Sequence, residues 1–264
     1  MELNNIKQWY EDALHNRPIY LLREYLQYEI LRILFSSRLS ARYTFLGGTC
    51  LRIAYGTHRF SEDLDFDNDG LTLPDFEQTA TDIKKGLELL GYTVNMKHFQ
   101  RGAFHCKITF PALLFHYNLS GHKETKIMIK LDTEQQYFDY EPNLVTVNRF
   151  GIEQTIRATP LPLLASQKVA AIMGRKRPKG RDFYDLHWIL QRQGINYNYL
   201  RQKLDIDNAQ QLRSRVTDRI AGFDFNLLAE DVRGFLIGSD DVEIVRNFPS
   251  YWQTAALPSE GDYY

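Results

Sequence analysis

The chain has 264 residues, a formal net charge of −1, and 44% hydrophobic and 25% charged residues. This is a globular composition, which excludes a disordered or fibrous chain and leaves room for one large domain or two modest ones. The two cysteines, Cys50 and Cys106, exclude a disulfide framework or a cysteine-based metal site, and both read as small core residues.

The first residues mix acids and aromatics instead of forming a basic-then-apolar leader. No run reaches the roughly 20 apolar residues of a membrane span. A cytoplasmic protein without a membrane partner is expected. Apolar periodicity predicts helices over 3–14 and 18–38. Tyr43-Thr44-Phe45-Leu46 reads as a short strand ending at Gly47-Gly48, and Thr49 opens a helix that Gly56 closes. Asp63-Leu64-Asp65-Phe66 alternates like a half-buried strand.

A helix follows over 74–90, then strands over 92–99, 103–110 and 125–133. Beyond Pro160 and Pro162 the pattern turns helical, at about 161–173, 181–193, 197–204, 208–221 and 226–236. The tail from about Phe248 shows no period and is expected to lie over the surface. The expectation is an α/β domain over 1–155, with a short mixed sheet flanked by helices, then a helical domain over 156–264.

Chemistry concentrates in one stretch. Gly47 and Gly48 at a strand end let the backbone approach a ligand closely, and the helix opening at Thr49 aims N–H groups at the same point. That suits a triphosphate. Asp63 and Asp65, two apart on a strand, share a face. Two such carboxylates repel unless a cation lies between them, and hard oxygen ligands favour Mg²⁺, with Mn²⁺ as an alternative. Such ions activate an attacking hydroxyl and stabilise a pyrophosphate leaving group. A Gly-Gly pair or an isolated Asp-x-Asp is common; the two in this order, with a helix between, are far more specific.

From Gly47-Gly48-Thr49 through Arg59-Phe60-Ser61-Glu62-Asp63-Leu64-Asp65-Phe66, the chain resembles the first motif of the AbiEii/AbiGii toxins, a branch of the polymerase-β-like nucleotidyltransferases. The resemblance implies a third carboxylate from a neighbouring strand. Asp132, ending Ile127-Met128-Ile129-Lys130-Leu131-Asp132, is the candidate; its alternative is a strand-end turn residue. It also implies a helix lysine and a downstream Arg-Asp-x-Tyr-Asp-Leu motif completing the active site. Lys168 matches the first, and would neutralise phosphate charge or merely pair with an acid. Asp185 matches the second, and would hold the lysine or shape the nucleotide pocket.

Asp182 would join the nucleotide site or simply cap its helix. Arg181 would bind phosphate or pair with Asp185 four residues on. Ser61, in the family's Arg-x-Ser-x-Asp pattern, would bond a phosphate oxygen or fix the loop. The active site is expected in the cleft between the domains. By resemblance the chain is a toxin with an AbiEi-like antitoxin encoded beside it, and tRNA is the leading acceptor because several relatives add nucleotides to the tRNA acceptor end.

The residues add thirteen Lys/Arg against five Asp/Glu over 157–219, with five basic residues within 175–181. Two rival readings stand: transfer to a small-molecule or protein hydroxyl, and a nucleotide-binding regulatory module without turnover. Basic walls disfavour a cationic drug as acceptor, and the retained Asp63, Asp65, Asp132 and Lys168 disfavour the module.

Overall fold

The computed structural model describes residues 1–259, which divide into two compact units. One comprises 1–56 and 60–158; the other comprises 57–59 and the chain from 159 onward. In the first, short runs of alternating apolar residues build a seven-stranded mixed sheet. Its strands are β1 (Tyr43–Leu46), β2 (Leu64–Asn68), β3 (Asn95–Arg101), β4 (Ala103–Phe110), β5 (Ile127–Thr133), β6 (Asn143–Arg149) and β7 (Ile152–Ala158). The order is β3-β4-β5-β2-β1-β7-β6. The central strand β2 runs antiparallel to β1 and parallel to β5, and β1 runs parallel to β7.

Five helices belong to this unit: α1 (Leu3–Lys7), α2 (Pro18–Phe35), α3 (Gly47–Ile53), α4 (Leu73–Leu89) and α5 (Leu113–His116). α2 and α4 pack on the sheet face that carries Tyr43, Phe45 and Phe66. The Tyr43 hydroxyl donates to Thr79 of α4 at 3.0 Å, and Phe35 of α2 lies 6.3 Å from Phe66. Because successive strand residues face opposite ways, the other face presents Asp65, Asp67, Lys130 and Asp132.

The first helix stops at Lys7 instead of near residue 14. The His15 ring lies 2.9 Å from the Lys7 carbonyl and 3.2 Å from that of Tyr10, giving the helix-end carbonyls a partner outside the helix. The hairpin β6–β7 is an addition to the expected strands. Phe150 and Gly151 form its two-residue turn, with φ of 59° and 75°. Such a turn requires positive φ at both positions and favours Asn-Gly. Here Phe150 holds it by packing edge-on against Tyr25 and Tyr28, 5.5 and 5.2 Å away.

The second unit is helical among the described residues: α6 (Leu161–Gly174), α7 (Gly180–Leu190), α8 (Tyr197–Leu204), α9 (Ala209–Ile220), α10 (Phe225–Arg233), α11 (Val242–Arg246) and α12 (Phe248–Thr254). α7 and α10 touch so closely that a Cβ on Gly180 would stand 1.9 Å from the Leu228 carbonyl oxygen; no other residue fits there. The tail corrects the sequence reading. Phe248 and Trp252, one turn apart on α12, are fully buried, and Phe248 packs 5.0 Å from Phe183. This segment is core, and the part of the expected surface tail beyond 259 lies outside the described residues.

Candidate active site

On β2, Leu64 and Phe66 enter the core, leaving Asp65 and Asp67 on the opposite face, with Asp63 just before the strand. Parallel pairing sets Asp65 directly beside Asp132 of β5, and antiparallel pairing sets Asp132 beside His105 of β4. Asp65 and Asp132 therefore share a face on neighbouring strands. His105 Nδ1 lies 2.8 Å from Asp132 Oδ1, and Lys130 Nζ lies 3.5 Å from Asp63 Oδ2.

The glycine pair forms the first two residues of α3, which begins at Gly47 and not at Thr49. The φ of Gly47 is +79°, and a Cβ there would stand 2.6 Å from Asp65 Oδ2. The Asp65 carboxylate occupies the space that a side chain would take, so Gly47 is required by both backbone conformation and contact. Thr49 is buried, and its hydroxyl donates to the Asp63 carbonyl. Ser61 is half-buried; its carbonyl and that of Glu62 both accept from Gln27 Nε2 at 3.0 Å. Gln27 is only 1% exposed. It fixes the segment leading into Asp63, and its one legible signal was a polar residue within the apolar pattern of α2.

In the helical unit, Lys168 of α6 and Asp182 and Asp185 of α7 come together. Lys168 Nζ lies 2.7 Å from Asp185 Oδ2 and 3.3 Å from Asp182 Oδ1. Arg59 completes the cluster. Residues 57–59 join this unit, with Arg59 bridging to Leu236 and Ile237 N donating to the His58 carbonyl at 3.1 Å. Arg59 Nε and Nη2 then donate to Asp185 Oδ1 and Oδ2, both at 2.6 Å.

Arg59 and Asp185 are both essentially unexposed. Burial by itself would raise the Asp185 carboxyl, but the Arg59 guanidinium and Lys168 ammonium outweigh it and hold that carboxyl below the usual range. Arg175 Nε stands 3.0 Å from Asp182 Oδ2, close enough for an ion pair but not aligned for a hydrogen bond.

Two alternatives from the sequence are thereby corrected. Asp182 makes no cap hydrogen bond, since its carboxylate is drawn to Lys168 and Arg175. Arg181 forms no ion pair with Asp185, whose two oxygens are engaged by Arg59 and Lys168.

The basic stretch 157–219 is mostly spent on structure. Arg213 donates to the Trp252 and Ala255 carbonyls, Arg215 to those of Leu204 and Asp205, and Arg219 to those of Ile172 and Arg175. These groups satisfy helix-end acceptors. Arg201 pairs with Asp207 and Lys179 with Asp231. Among the described residues, Lys176, Arg177 and Arg181 form no ion pair.

The fold has solved counterparts. The chain is similar to the protein JHP933 of Helicobacter pylori, with TM-score 0.55 and 18% identity over 89% of this chain and 90% of that one. It is equally similar to a Helicobacter pylori protein provisionally assigned as a nucleotidyltransferase, with TM-score 0.55 and 17% identity over 88% and 93%. At these identities the likeness establishes the fold alone. No curated protein matches by sequence. The sequence model of the AbiEii nucleotidyl transferase toxins of type IV toxin–antitoxin systems matches residues 30–246, and the chain belongs to that family.

Proposed function

We propose that the chain transfers a nucleoside monophosphate from an NTP to an acceptor hydroxyl, with RNA, and tRNA first, as the acceptor. The observation that carries this is the placement of Asp65: its carboxylate fills the space above Gly47, beside Asp132 in register. In the reaction an acceptor oxygen forms a bond to the α-phosphorus, the bond from that phosphorus to the bridging oxygen breaks, and pyrophosphate leaves.

Asp63, Asp65 and Asp132 are the residues to hold Mg²⁺, or Mn²⁺ in its place. Their type fits, being hard oxygen donors aligned on one face. Among the described residues no three candidate ligands converge as a ready-made cage, because Asp63 turns toward Lys130 and Asp132 toward His105. When bound, the ion supplies acidification of the acceptor hydroxyl and charge stabilisation on the leaving pyrophosphate.

Gly47 and Gly48 admit the phosphates near the backbone, while Thr49 holds the Asp63 carbonyl. Ser61 is a phosphate contact in this account, and Arg181 another. Lys168 meets developing phosphate charge: an ammonium has three N–H donors, and two face Asp182 and Asp185. Asp185 and Arg59 fix that lysine in place, so they are positioning residues.

The family's description as a type IV toxin supports an AbiEi-like antitoxin partner. A second reading gains from the arginines. With Arg213, Arg215 and Arg219 bound to backbone carbonyls, few cations remain for RNA, which favours a small-molecule or protein hydroxyl. If Lys176, Arg177 and Arg181 each contact a phosphate, binding to single-stranded RNA should fall with salt at a log–log slope of about −2.

Incubation with each α-labelled NTP, Mg²⁺ and total bacterial RNA tests the proposal. Label in a tRNA-sized band that is lost in Asp65→Ala supports it. Labelled protein or small molecule instead selects the second reading. Label that persists in Asp65→Ala removes the assignment of the carboxylates.

A further inference from the structure

A cavity of about 550 Å³ opens in the α/β unit beyond Asp65, between the ends of β1, β2 and β7 and the segment linking β5 to β6. Its volume falls within the roughly 300–1,000 Å³ of small-molecule sites. It lies on the carboxylate face. Thr44 and Asp67 are register partners, as are Leu46 and Asp65, so all four point the same way. Arg157 precedes Ala158, which pairs with Phe45 on the opposite face, and so it joins them. Asp67 is two residues past Asp65, about 7 Å along the strand, a gap that a ribose bridges.

The lining narrows the occupant. Asp67, Asp69, Asp139 and Glu141 surround it against the single cation Arg157, so a phosphate chain would be repelled. One wall is aromatic. The rings of Phe138 and Tyr140 lie 6.5 Å apart at 24°, and Tyr137 is 71% exposed on a backbone held at φ 50°.

Arg157 Nε is buried with no hydrogen-bond partner among the described residues. A buried donor of that kind calls for an acceptor. Asp67 receives the Gln136 N–H at 2.8 Å, the Tyr140 hydroxyl at 3.0 Å and a backbone hydrogen bond from Asn68, which leaves about one of a carboxylate's four acceptor sites.

We propose that this cavity receives a nucleobase, stacked on the aromatic wall, its N–H edge toward Asp67 and its carbonyl oxygen toward Arg157. Guanine presents both edges together, and stacking on aromatic side chains is a general mode of base binding. The assignment rests on the nucleotidyl-transfer reading and deepens it, because a base held here places its sugar and phosphate beside Asp65. The base belongs either to the incoming NTP or to the terminal nucleotide of the acceptor.

The test measures binding to the full chain by calorimetry in two arms: the four NTPs, and short single-stranded RNAs that differ in their 3′-terminal base. The wild type should prefer one base by about tenfold in Kd, the scale of one stacked or bidentate base contact. Arg157→Gln should remove most of that preference, and Tyr137→Ala, at an exposed position, should weaken binding of every base, both with unchanged circular dichroism. Preference in the NTP arm assigns the base to the incoming nucleotide; preference in the RNA arm assigns it to the acceptor.

Equal affinity for all bases in both arms overturns the proposal. So does a preference that Arg157→Gln keeps, or affinity that Tyr137→Ala leaves unchanged, and if label transfer survives in any of these cases, nucleotidyl transfer still stands. A wild type that binds no NTP and transfers no label overturns both. Tighter binding of a cationic aminoglycoside than of any nucleotide, abolished by Asp67→Asn, would make the cavity a polycation site instead.

Discussion

Replacing Asp185 by Asn removes one negative charge from a group of five, four of them buried and the fifth, Arg175, exposed. Arg59, Lys168 and Arg175 supply three positive charges and Asp182 and Asp185 two negative ones, so the cluster carries a net charge of +1. Asp185→Asn raises that to +2. It also leaves one carbonyl oxygen where two carboxylate oxygens had received Arg59 at 2.6 Å twice and Lys168 at 2.7 Å.

Breaking a fully desolvated pair by removing one partner costs about 3–5 kcal/mol, a large part of the roughly 5–15 kcal/mol that holds a domain folded. Urea unfolding followed by tryptophan fluorescence reads this out, because Trp188 and Trp252 both lie in the helical unit and are buried. The double variant Arg59→Leu/Asp185→Leu should regain at least half of the loss, since two well-packed apolar residues often replace a buried pair without penalty.

The sign with pH follows from the depressed Asp185 carboxyl. Its contribution is fully present above the unfolded value of about 4 and fades as pH falls from there toward the lower folded value. The variant should lack that acid-side loss. A cost for Asp185→Asn below about 1 kcal/mol at pH 7, or no recovery in the double variant, would refute the reasoning; the threshold is the range of exposed pairs.

Three further outcomes follow from single contacts. Gly47→Ala should abolish label transfer, because its Cβ meets Asp65 Oδ2 at 2.6 Å, and a left-handed alanine costs a further 1–2 kcal/mol or so in thermal unfolding. Gln27→Leu leaves the Ser61 and Glu62 carbonyls without their shared donor. It should cost about 1–3 kcal/mol in urea unfolding, with a fall in kcat. Burial pushes the Cys106 thiol to about 12, with the nearby Asp132 adding to the rise, and Cys50 is fully buried. Native protein at pH 8 should therefore resist iodoacetamide at both cysteines, and mass spectrometry after unfolding should show both modified.

What the sequence disclosed was whatever rests on local pattern. Strand alternation placed Asp63 and Asp65 on one face and paired Lys130 with Asp132 in parity. Gly47-Gly48 marked the close approach that Asp65 occupies. The register bringing Asp132 beside Asp65, and His105 beside Asp132, depends on strand pairing across 67 and 27 positions, which no local period encodes. Arg59 and Asp185 are 126 residues apart, so their pairing had no signal beyond the motifs themselves.

Local rules also misdirected. Asp182 stands in the first turn of α7, where a cap is ordinary, and Arg181 stands four residues before Asp185, where a pair is ordinary; tertiary ion pairs prevailed at both. The β6–β7 hairpin was hidden because Phe150 occupies a turn position where Asn is expected. The α12 helix was hidden because seven residues give too few turns for a period to show.

The most direct test of the central claim compares NTP labelled on the α-phosphate with NTP labelled on the γ-phosphate, using wild type, Asp63→Asn and Asp65→Asn with Mg²⁺. Nucleotidyl transfer at these carboxylates predicts that only α-label reaches the acceptor, that γ-label appears in pyrophosphate, and that both variants lose the reaction. Transfer of γ-label, or α-label transfer undiminished in both variants, would contradict the account.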